Sequence, residues 1–222
     1  VLAGVLHFLR AFDLAGEMRR EKVWDQSAFA TPGALVREVD ELHVLVVGAG
    51  GLGSEIARRF SALGARVTGI RRRPGLGAPP GCDAIHGLGE LDGLLPLADV
   101  VVLATPLTEE TRSVLDARRM KSLKPGAIVA NVARGALLDE AALVDGLVAG
   151  RIRGAVLDVF AKEPLAADSP LWQLPRVVWT PHVSGVSPRR FWDRLQDLIL
   201  DNWARYRAGD SLRNLVDKRA GY

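Results

Sequence analysis

From residue 42 onward, the chain alternates short apolar runs with stretches whose apolar residues recur at helical spacing. Six of the apolar runs predict β-strands, at residues 44–47, 66–70, 100–104, 127–131, 154–159 and 177–180. Amphipathic stretches predict helices at residues 54–63, 91–97, 139–148 and 188–206. Strands that alternate with helices pair in parallel through right-handed crossovers, with helices on both faces of the sheet. The pattern therefore predicts an α/β fold with a doubly wound parallel sheet.

The first 42 residues carry a different pattern. The apolar residues among the first twelve share one broad face, and a polar tail to Lys22 follows, so residues 1–22 are predicted to form one helix. Residues 23–42 show no clear period, and Thr31-Pro32-Gly33 is typical of a turn. We therefore expect one long helix and an irregular connection ahead of the sheet.

Composition and charge exclude two classes of partner. Of the 222 residues, 48% are hydrophobic and 25% are charged, as in an ordinary globular protein. The 29 basic residues nearly balance the 26 acidic ones, and the tight basic run Arg71-Arg72-Arg73 is too short for a nucleic-acid groove. No apolar run approaches the roughly 18 to 20 residues that span a bilayer. We therefore expect neither a nucleic-acid partner nor a membrane.

The cysteine and histidine residues bear on the cellular compartment and on metal binding. Cys82 is the only cysteine, so no intramolecular disulfide can form, which is typical of a reducing compartment such as the cytoplasm. The four histidines and Cys82 do not have the spacing of a zinc site. We expect a cytoplasmic protein without a metal.

The segment Gly48-Ala49-Gly50-Gly51-Leu52-Gly53 follows a predicted strand and opens a predicted helix. It matches the G-x-G-x-x-G pattern of the Rossmann dinucleotide-binding fold, in which the first glycine permits a tight turn, the second lets the backbone approach a pyrophosphate and the third lets helix and strand pack closely. A glycine-rich turn without a ligand is the alternative. The predicted cofactor-binding residues of this loop are Gly48, Gly50, Gly51, Leu52 and Gly53.

The end of the second strand bears on which dinucleotide is bound. NAD-binding versions of the loop place an Asp or Glu there for the ribose 2′-hydroxyl, whereas this chain has Arg71 and Arg72, 18 and 19 residues after Gly53. Guanidinium groups bind a 2′-phosphate through charge-assisted hydrogen bonds. The sequence therefore favours NADP(H) and leaves NAD(H) possible; a solvated arginine loop is the alternative.

Four later segments carry recognisable motifs, among them Asn131-Val132-Ala133-Arg134-Gly135 and Thr180-Pro181-His182-Val183-Ser184-Gly185. In their order and approximate spacing they resemble the D-isomer-specific 2-hydroxyacid dehydrogenases. Arg134 and Glu163 are 29 positions apart, and Glu163 and His182 are 19 apart. Trp172, together with the arginines after the second strand, is most similar to the glyoxylate and hydroxypyruvate reductase branch. The segments are Thr105-Pro106-Leu107-Thr108-Glu109-Glu110-Thr111, Asn131-Val132-Ala133-Arg134-Gly135, Leu157-Asp158-Val159-Phe160 with Glu163-Pro164-Leu165, and Thr180-Pro181-His182-Val183-Ser184-Gly185.

The resemblance implies a set of catalytic residues for interconverting a 2-oxo acid and a D-2-hydroxy acid. Arg134 would hold the substrate carboxylate, His182 would exchange the proton of the carbonyl oxygen, and Glu163 would orient His182 and favour its charged form. Each residue alone also has a structural interpretation, as a turn contact, a loop histidine or a helix start. The resemblance further implies a cofactor cleft lined by Thr105, Pro106, Val132, Ala133, Asp158 and Gly185, with Asp158 at the carboxamide of the nicotinamide.

Members of this family also have a substrate domain, on the order of 100 residues. Most of that domain precedes a long helix, and residues 1–22 resemble that helix. We therefore expect a dinucleotide-binding domain at residues 1–187 and, at 188–222, the C-terminal helix and tail of a truncated substrate domain. The chain would be either a piece of a longer dehydrogenase or a short protein of weak activity. Apolar surface on the first helix would then be covered in a homodimer.

Two functions follow as hypotheses. The first is an oxidoreductase that transfers a hydride between NADP(H) and a small 2-oxo acid such as glyoxylate or hydroxypyruvate. The second is a dinucleotide-sensing protein without catalysis, as in corepressors related to the family, which keep similar residues. Retention of Arg134, Glu163 and His182 favours the enzyme.

Overall fold

Seven parallel strands form one sheet in the computed structural model, which describes residues 1–31 and 35–218. The strands are β1 His43–Val47, β2 Arg66–Ile70, β3 Ala84–His86, β4 Val100–Leu103, β5 Ala127–Asn131, β6 Ile152–Leu157 and β7 Val177–Trp179. Their order across the sheet is β3-β2-β1-β4-β5-β6-β7. The order reverses between β1 and β4, which opens a crevice at the carboxyl ends of these strands. The predicted doubly wound parallel sheet is confirmed.

The helices precede the sheet, connect consecutive strands or, in the case of the last helix, follow the last strand. Their bounds are α1 Leu2–Leu9, α2 Phe12–Glu21, α3 Ser27–Ala30, α4 Gly51–Ser61, α5 Leu91–Leu94, α6 Ala117–Ser122, α7 Glu140–Val148 and α8 Phe191–Ala208. Two capping aspartates fix helix starts: Asp116 accepts from the Arg119 amide at 2.8 Å, and Asp139 accepts from the Ala142 amide at 3.0 Å. The predicted turn at Thr31-Pro32-Gly33 lies partly outside the described residues, as does the end of the tail.

The sheet has one strand more than the six predicted. β3 pairs with β2 through the register Thr68↔Ala84 to Ile70↔His86. The strand has only three residues, all of them partly exposed at the edge of the sheet. So short an edge strand carries neither an apolar run nor an alternation, which is why the hydrophobic pattern does not reveal it.

The prediction of one helix over residues 1–22 is wrong, because the chain breaks between α1 and α2. Ala11 adopts a left-handed backbone with φ of 51°. The carbonyl oxygen of Phe8 accepts hydrogen bonds from the Ala11 amide at 3.1 Å and from the Arg153 guanidinium, also at 3.1 Å, so it cannot continue the helical ladder. The cause is a long-range contact, and no glycine or proline marks it in the sequence.

Hydrophobic cores cover both faces of the sheet, because successive strand residues point to opposite sides. Leu45 and Val47 of β1 belong to one core, and Val44 and Val46 belong to the other. The first core includes apolar side chains of α5, α6 and α7, and the second includes those of α1 and α4. The two cores fix the carboxyl edge of the sheet, from which the candidate site residues project.

A buried ion pair joins α2 to β6. The carboxylate of Asp13 receives two hydrogen bonds from Arg153, at 2.6 and 2.8 Å, and both side chains are about 90% buried, at 10% and 11% exposure. Burial raises the pKa of Asp13, but the hydrogen bond and charge of Arg153 outweigh it and hold the pKa below its ordinary value. The pair holds α2 in its new direction after the break at Ala11.

We expect Asp13→Ala to lower the free energy of unfolding by about 3 kcal/mol, because it leaves the Arg153 charge buried without its partner. Glu55→Ala is the matched control: it removes an exposed pair with Arg58 and Arg59 and should cost less than about 1 kcal/mol. Urea unfolding of both variants gives the comparison. Equal losses would contradict a structural role for the buried pair.

The same pair predicts an acid dependence. The folded-state pKa of Asp13 is lowered, so its contribution to stability is fully present above the ordinary carboxyl pKa of about 4 and is lost as the pH falls through the lower folded value.

The described residues divide into two compact units, Val1–Pro181 and the residues from His182 onward. The first unit contains the sheet. The second contains α8, which ends at the left-handed Gly209, after which the amide of Arg213 donates to the Asn202 side chain at 2.7 Å. The division falls six residues before residue 187, where the sequence places the domain boundary.

Candidate active site

The loops that leave β1 and β4 meet at the point where the strand order reverses. The glycine loop 48–53 follows β1, and Thr105 and Pro106 follow β4. A Cβ added to Gly48 would lie 2.5 Å from the Thr105 nitrogen, so the two loops are in close contact. In open α/β sheets, ligands bind in the crevice at this position.

Gly48 and Gly53 are required by packing within the loop. Gly48 has a φ of +104°, a conformation that side-chain-bearing residues rarely adopt. A Cβ added to Gly53 would lie 2.0 Å from the carbonyl oxygen of Gly48. In both cases the obstructing atoms are backbone, so no side-chain rotation could relieve the overlap. These two glycines let the strand, the turn and α4 approach one another.

Gly50 and Gly51 have open space instead. Apart from the adjoining residues and the backbone of α4, no atom of the described residues lies within 4 Å of a Cβ added to either glycine. Gly50 caps α4 without a side-chain hydrogen bond, and the first amides of a helix have no acceptor within it. Leu52, in the same turn, is 51% exposed. An open backbone with unused donors and the positive end of a helix dipole fits a pyrophosphate.

Arg71 begins the loop after β2. Its amide donates to the carbonyl oxygen of His86 at 3.0 Å, and its guanidinium donates to that of Gly77 at 3.2 Å. Arg72, the next residue, is exposed. Burial, followed by the charge of Asp83, raises the pKa of the Cys82 thiol, while Arg71 acts in the opposite direction. The end of β2 therefore presents cations where a carboxylate would select NAD.

A threonine pair holds the loop after β4. The Thr111 hydroxyl donates to the carbonyl oxygen of Pro106 at 2.7 Å and accepts from the amide of Thr108 at 2.8 Å. Thr111 is buried, with 8% exposure. These bonds close the loop on itself beside the glycine loop and fix the backbone of Thr105 and Pro106.

Arg134 lies on a rigid turn at the end of β5. The fully buried Asn131 side chain donates to the carbonyl oxygen of Arg134 at 2.8 Å and accepts from the Ala133 amide at 3.2 Å. The Val132 amide donates to the Leu103 carbonyl at 3.3 Å, and Val132 is buried. The Asn131 side chain therefore holds the main chain of Arg134, whose guanidinium donates to the carbonyl oxygen of Ala133 at 2.6 Å.

A second loop, residues 158–163, packs directly against this turn. A Cβ added to Gly135 would lie 1.9 Å from the carbonyl carbon of Phe160, so only glycine fits there. The Phe160 amide donates to Glu163 at 3.0 Å, and the Ala161 amide donates to Glu140 at 2.6 Å. The loop that carries Glu163 is therefore held against the loop that carries Arg134.

Asp158 begins the second loop and is 2% exposed. Its amide donates to the Asn131 carbonyl at 3.0 Å, and its carboxylate accepts from the Thr180 hydroxyl at 2.6 Å. Asp158 is thus tied to the residues that end β5 and follow β7.

His182 and Gly185 belong to the second compact unit. His182 has a left-handed backbone with φ of 56°, which is uncommon for a residue other than glycine and is found disproportionately at functional sites. Its side chain is exposed, and Gly185 is exposed beside it.

The first unit therefore gathers the glycine loop, Thr105, Pro106, Val132, Ala133, Arg134, Asp158 and Glu163 at the carboxyl edge of the sheet. Sequence reasoning did not assign roles to the residues that support them: Asn131, Thr111, Glu140 and Thr180. Asn131, Thr111 and Thr180 stand within the family-like segments, but the spacing does not reveal their hydrogen bonds.

Two further observations concern only residues 1–31 and 35–218. No three His, Cys, Asp or Glu side chains in these ranges are grouped so that they could hold a metal ion. None of the helices in the same ranges is long and apolar enough to cross a membrane.

Comparison of sequences identifies relatives. The family model described as D-isomer specific 2-hydroxyacid dehydrogenase, NAD binding domain, matches residues 2–184. The chain is 33% identical over 221 residues to glyoxylate/hydroxypyruvate reductase A of Salmonella paratyphi B, covering 98% of the chain and 66% of that protein. It is 36% identical over 222 residues to D-3-phosphoglycerate dehydrogenase of Mycobacterium tuberculosis, covering 99% of the chain and 40% of the relative. The chain thus spans less than two thirds of these proteins.

Solved structures give the same assignment. A D-isomer specific 2-hydroxyacid dehydrogenase from Xanthobacter autotrophicus, in complex with NADPH and MES, superposes with a TM-score of 0.86 at 38% identity, covering 100% of this chain and 86% of that one. The NADPH-dependent glyoxylate/hydroxypyruvate reductase from Sinorhizobium meliloti, in complex with NADP and sulfate, gives 0.86 at 30% identity, covering 100% and 67%. With a family match over more than four fifths of its length, the chain belongs to the D-isomer-specific 2-hydroxyacid dehydrogenases.

Proposed function

We propose that the natural polypeptide carrying this chain reduces a small 2-oxo acid, such as glyoxylate or hydroxypyruvate, with NADPH. The observation that carries the proposal is the packing of the Arg134 turn against the loop of Asp158 and Glu163, on the sheet edge that also bears the glycine loop. In this proposal Arg134 would supply the cation for the substrate carboxylate and Glu163 the carboxylate partner of the general acid, on the sheet edge that bears the glycine loop. The reductases named among the relatives support the choice of substrate.

The cofactor would be held mainly by the first compact unit, Val1–Pro181. The amides at Gly50, Gly51 and Leu52 would bind the pyrophosphate. Thr105, Pro106, Val132 and Ala133 would line the cleft, Asp158 would accept from the carboxamide, and Gly185 would contribute from the second unit. When bound, the reduced nicotinamide supplies the hydride for the carbonyl carbon.

The side chains of this protein would supply binding and proton transfer. Arg134 would bind the substrate carboxylate through its planar guanidinium, which orients the carbonyl group. His182 would donate a proton to the carbonyl oxygen during reduction and take it back during oxidation, since an imidazole titrates near neutral pH. Glu163 would pair with His182, stabilise its charged form and fix its orientation.

The preference for NADPH rests on Arg71 and Arg72. Their guanidinium groups would bind the 2′-phosphate, and the position directly after β2 has no carboxylate that could hold a 2′-hydroxyl. Two similar structures are complexes with NADPH or NADP, which supports this preference.

A turnover assay tests the proposal. The full natural polypeptide is mixed with NADPH and a panel of 2-oxo acids, and the loss of reduced-nicotinamide absorbance is followed. We expect oxidation of NADPH that depends on glyoxylate or hydroxypyruvate. Tight NADPH binding without turnover on any 2-oxo acid would reject the enzyme and favour a dinucleotide sensor.

We also propose that two copies pair through α2 and the segment after it. Trp24 is 89% exposed and Phe12 is 59% exposed, and side chains of this region line an open apolar groove of about 560 Å³. Exposed apolar patches mark association sites, and twofold dimers are the commonest soluble oligomers.

Trp24→Glu should convert the dimer to monomers, because a charge would be buried in the apolar contact. The control, Leu76→Glu, changes an exposed leucine in the loop after β2 and should leave the dimer intact. Sedimentation equilibrium gives the masses. A monomeric parent protein would contradict the proposed pairing.

A further inference from the structure

Asp158 is a buried carboxylate whose position is fixed from both neighbouring strands. Its amide donates to the Asn131 carbonyl at the end of β5, at 3.0 Å. On the other side, the Thr180 hydroxyl donates to Asp158 Oδ1 at 2.6 Å. The first bond holds the main chain of Asp158, and the second holds one oxygen of its side chain.

Thr180 is itself held in a position from which it can bind the Asp158 side chain. Its amide donates to the Leu157 carbonyl at 2.9 Å, which extends the pairing of β6 with β7 by one residue. A threonine side chain is branched at Cβ and therefore has few rotamers. A hydroxyl has a single proton, and here that proton is given to a carboxylate in a short, charge-assisted bond.

This bond has a geometric consequence for Asp158. A carboxylate is planar and turns about one bond, so holding one oxygen also sets the direction of the other. The hydrogen bond from Thr180 to Asp158 Oδ1 therefore sets the direction of Asp158 Oδ2. Thr180 lies on the exposed side of the pair, whereas Asp158 is buried, so Thr180 can be changed with little disturbance to the core.

We propose that Thr180 is a positioning residue that sets selectivity at the nicotinamide end of the cofactor, by aiming the Asp158 carboxylate at the carboxamide N–H group. This inference rests on the proposed function in one respect, since it takes Asp158 to be the residue that accepts from the carboxamide. Thr180 itself would not contact the cofactor. Its effect passes through Asp158.

The test uses an NADPH analogue in which a 3-acetylpyridine ring replaces the nicotinamide, so that a methyl ketone without N–H donors replaces the amide. Dissociation constants of NADPH and of the analogue are measured by equilibrium binding for the full natural polypeptide and for two variants. Thr180→Val keeps the branched shape and removes the hydroxyl, whereas Thr180→Ser keeps the hydroxyl.

We expect the parent protein to bind NADPH more tightly than the analogue. Thr180→Val should weaken the binding of NADPH by about tenfold, the typical cost of losing one hydrogen bond to a charged group. It should change the binding of the analogue by less than about twofold. Thr180→Ser should behave like the parent. Equal weakening of both ligands would show a general packing role, and no weakening would show that Thr180 is unimportant; either result overturns the inference.

Equilibrium binding separates this inference from the proposed reaction. A parent protein that does not discriminate between NADPH and the analogue would remove the role of Asp158 and with it that of Thr180. If the discrimination and its loss in Thr180→Val are observed but no 2-oxo acid is reduced, the proposed reaction fails while the role of Thr180 stands.

Discussion

Replacing His182 by alanine in the full natural polypeptide is expected to lower turnover of glyoxylate by a factor of about 10³, the usual range for loss of a general acid. The affinity for NADPH should change by less than about twofold, because His182 acts on the carbonyl oxygen of the substrate. The rate is measured from nicotinamide absorbance, and the dissociation constant from equilibrium binding of NADPH.

The control for this variant is His7→Ala. His7 lies on α1, and its ring packs edge-on against the rings of Phe8 and Phe12. The distances between ring centroids are 5.1 and 6.3 Å. It is the same substitution at a histidine to which the proposal gives no catalytic role, and it should leave turnover close to that of the parent. A large loss of NADPH binding in His182→Ala, or turnover within about tenfold of the parent, would count against the proposed role of His182.

Arg71→Asp is expected to lower the ratio of kcat/KM for NADPH to that for NADH by about 100-fold. The change removes a charge-assisted hydrogen bond to the 2′-phosphate and adds repulsion, while an aspartate at this position can accept from the 2′-hydroxyl of NADH. Steady-state rates with both cofactors at one ionic strength give the ratio, since surface electrostatics depend on salt.

The matched control is Arg59→Asp, which makes the same charge change on α4, where Arg59 is about half exposed and pairs with Glu55. It should leave the cofactor ratio unchanged, which separates a local contact at Arg71 from an effect of net charge. An Arg71→Asp protein with the cofactor preference of the parent would mean that the arginine run is only a solvated loop.

The central strands could be predicted because burial on both faces requires apolar residues throughout. β2 and β5 have the predicted bounds, and β1, β4, β6 and β7 differ from the predictions by a few residues at their ends. Where a helix boundary depends on one contact with a distant residue, the hydrophobic pattern does not predict it. The break at Ala11 arises because Arg153, more than 140 positions away, binds the Phe8 carbonyl and Asp13.

The same distinction holds for the site. Chemically distinctive residues at recognisable spacing, such as the glycine loop and Arg134, could be named from the sequence. The role of Gly135 could not be derived, because it depends on Phe160 lying within contact distance after folding. The bond from Thr180 to Asp158 likewise joins residues 22 positions apart that directly follow β7 and β6, and the contact exists only once the two strands are paired in the sheet, which local spacing does not reveal.

The most direct test of the central claim is a crystal structure of the full natural polypeptide with NADP⁺ and oxalate, a two-carbon dianion similar to glyoxylate. We expect the nicotinamide to lie across the carboxyl edge of the sheet, Arg134 to bind an oxalate carboxylate, and His182, paired with Glu163, to face the reactive ring carbon. Oxalate bound elsewhere, or His182 and Arg134 on separate surfaces of the complex, would contradict it.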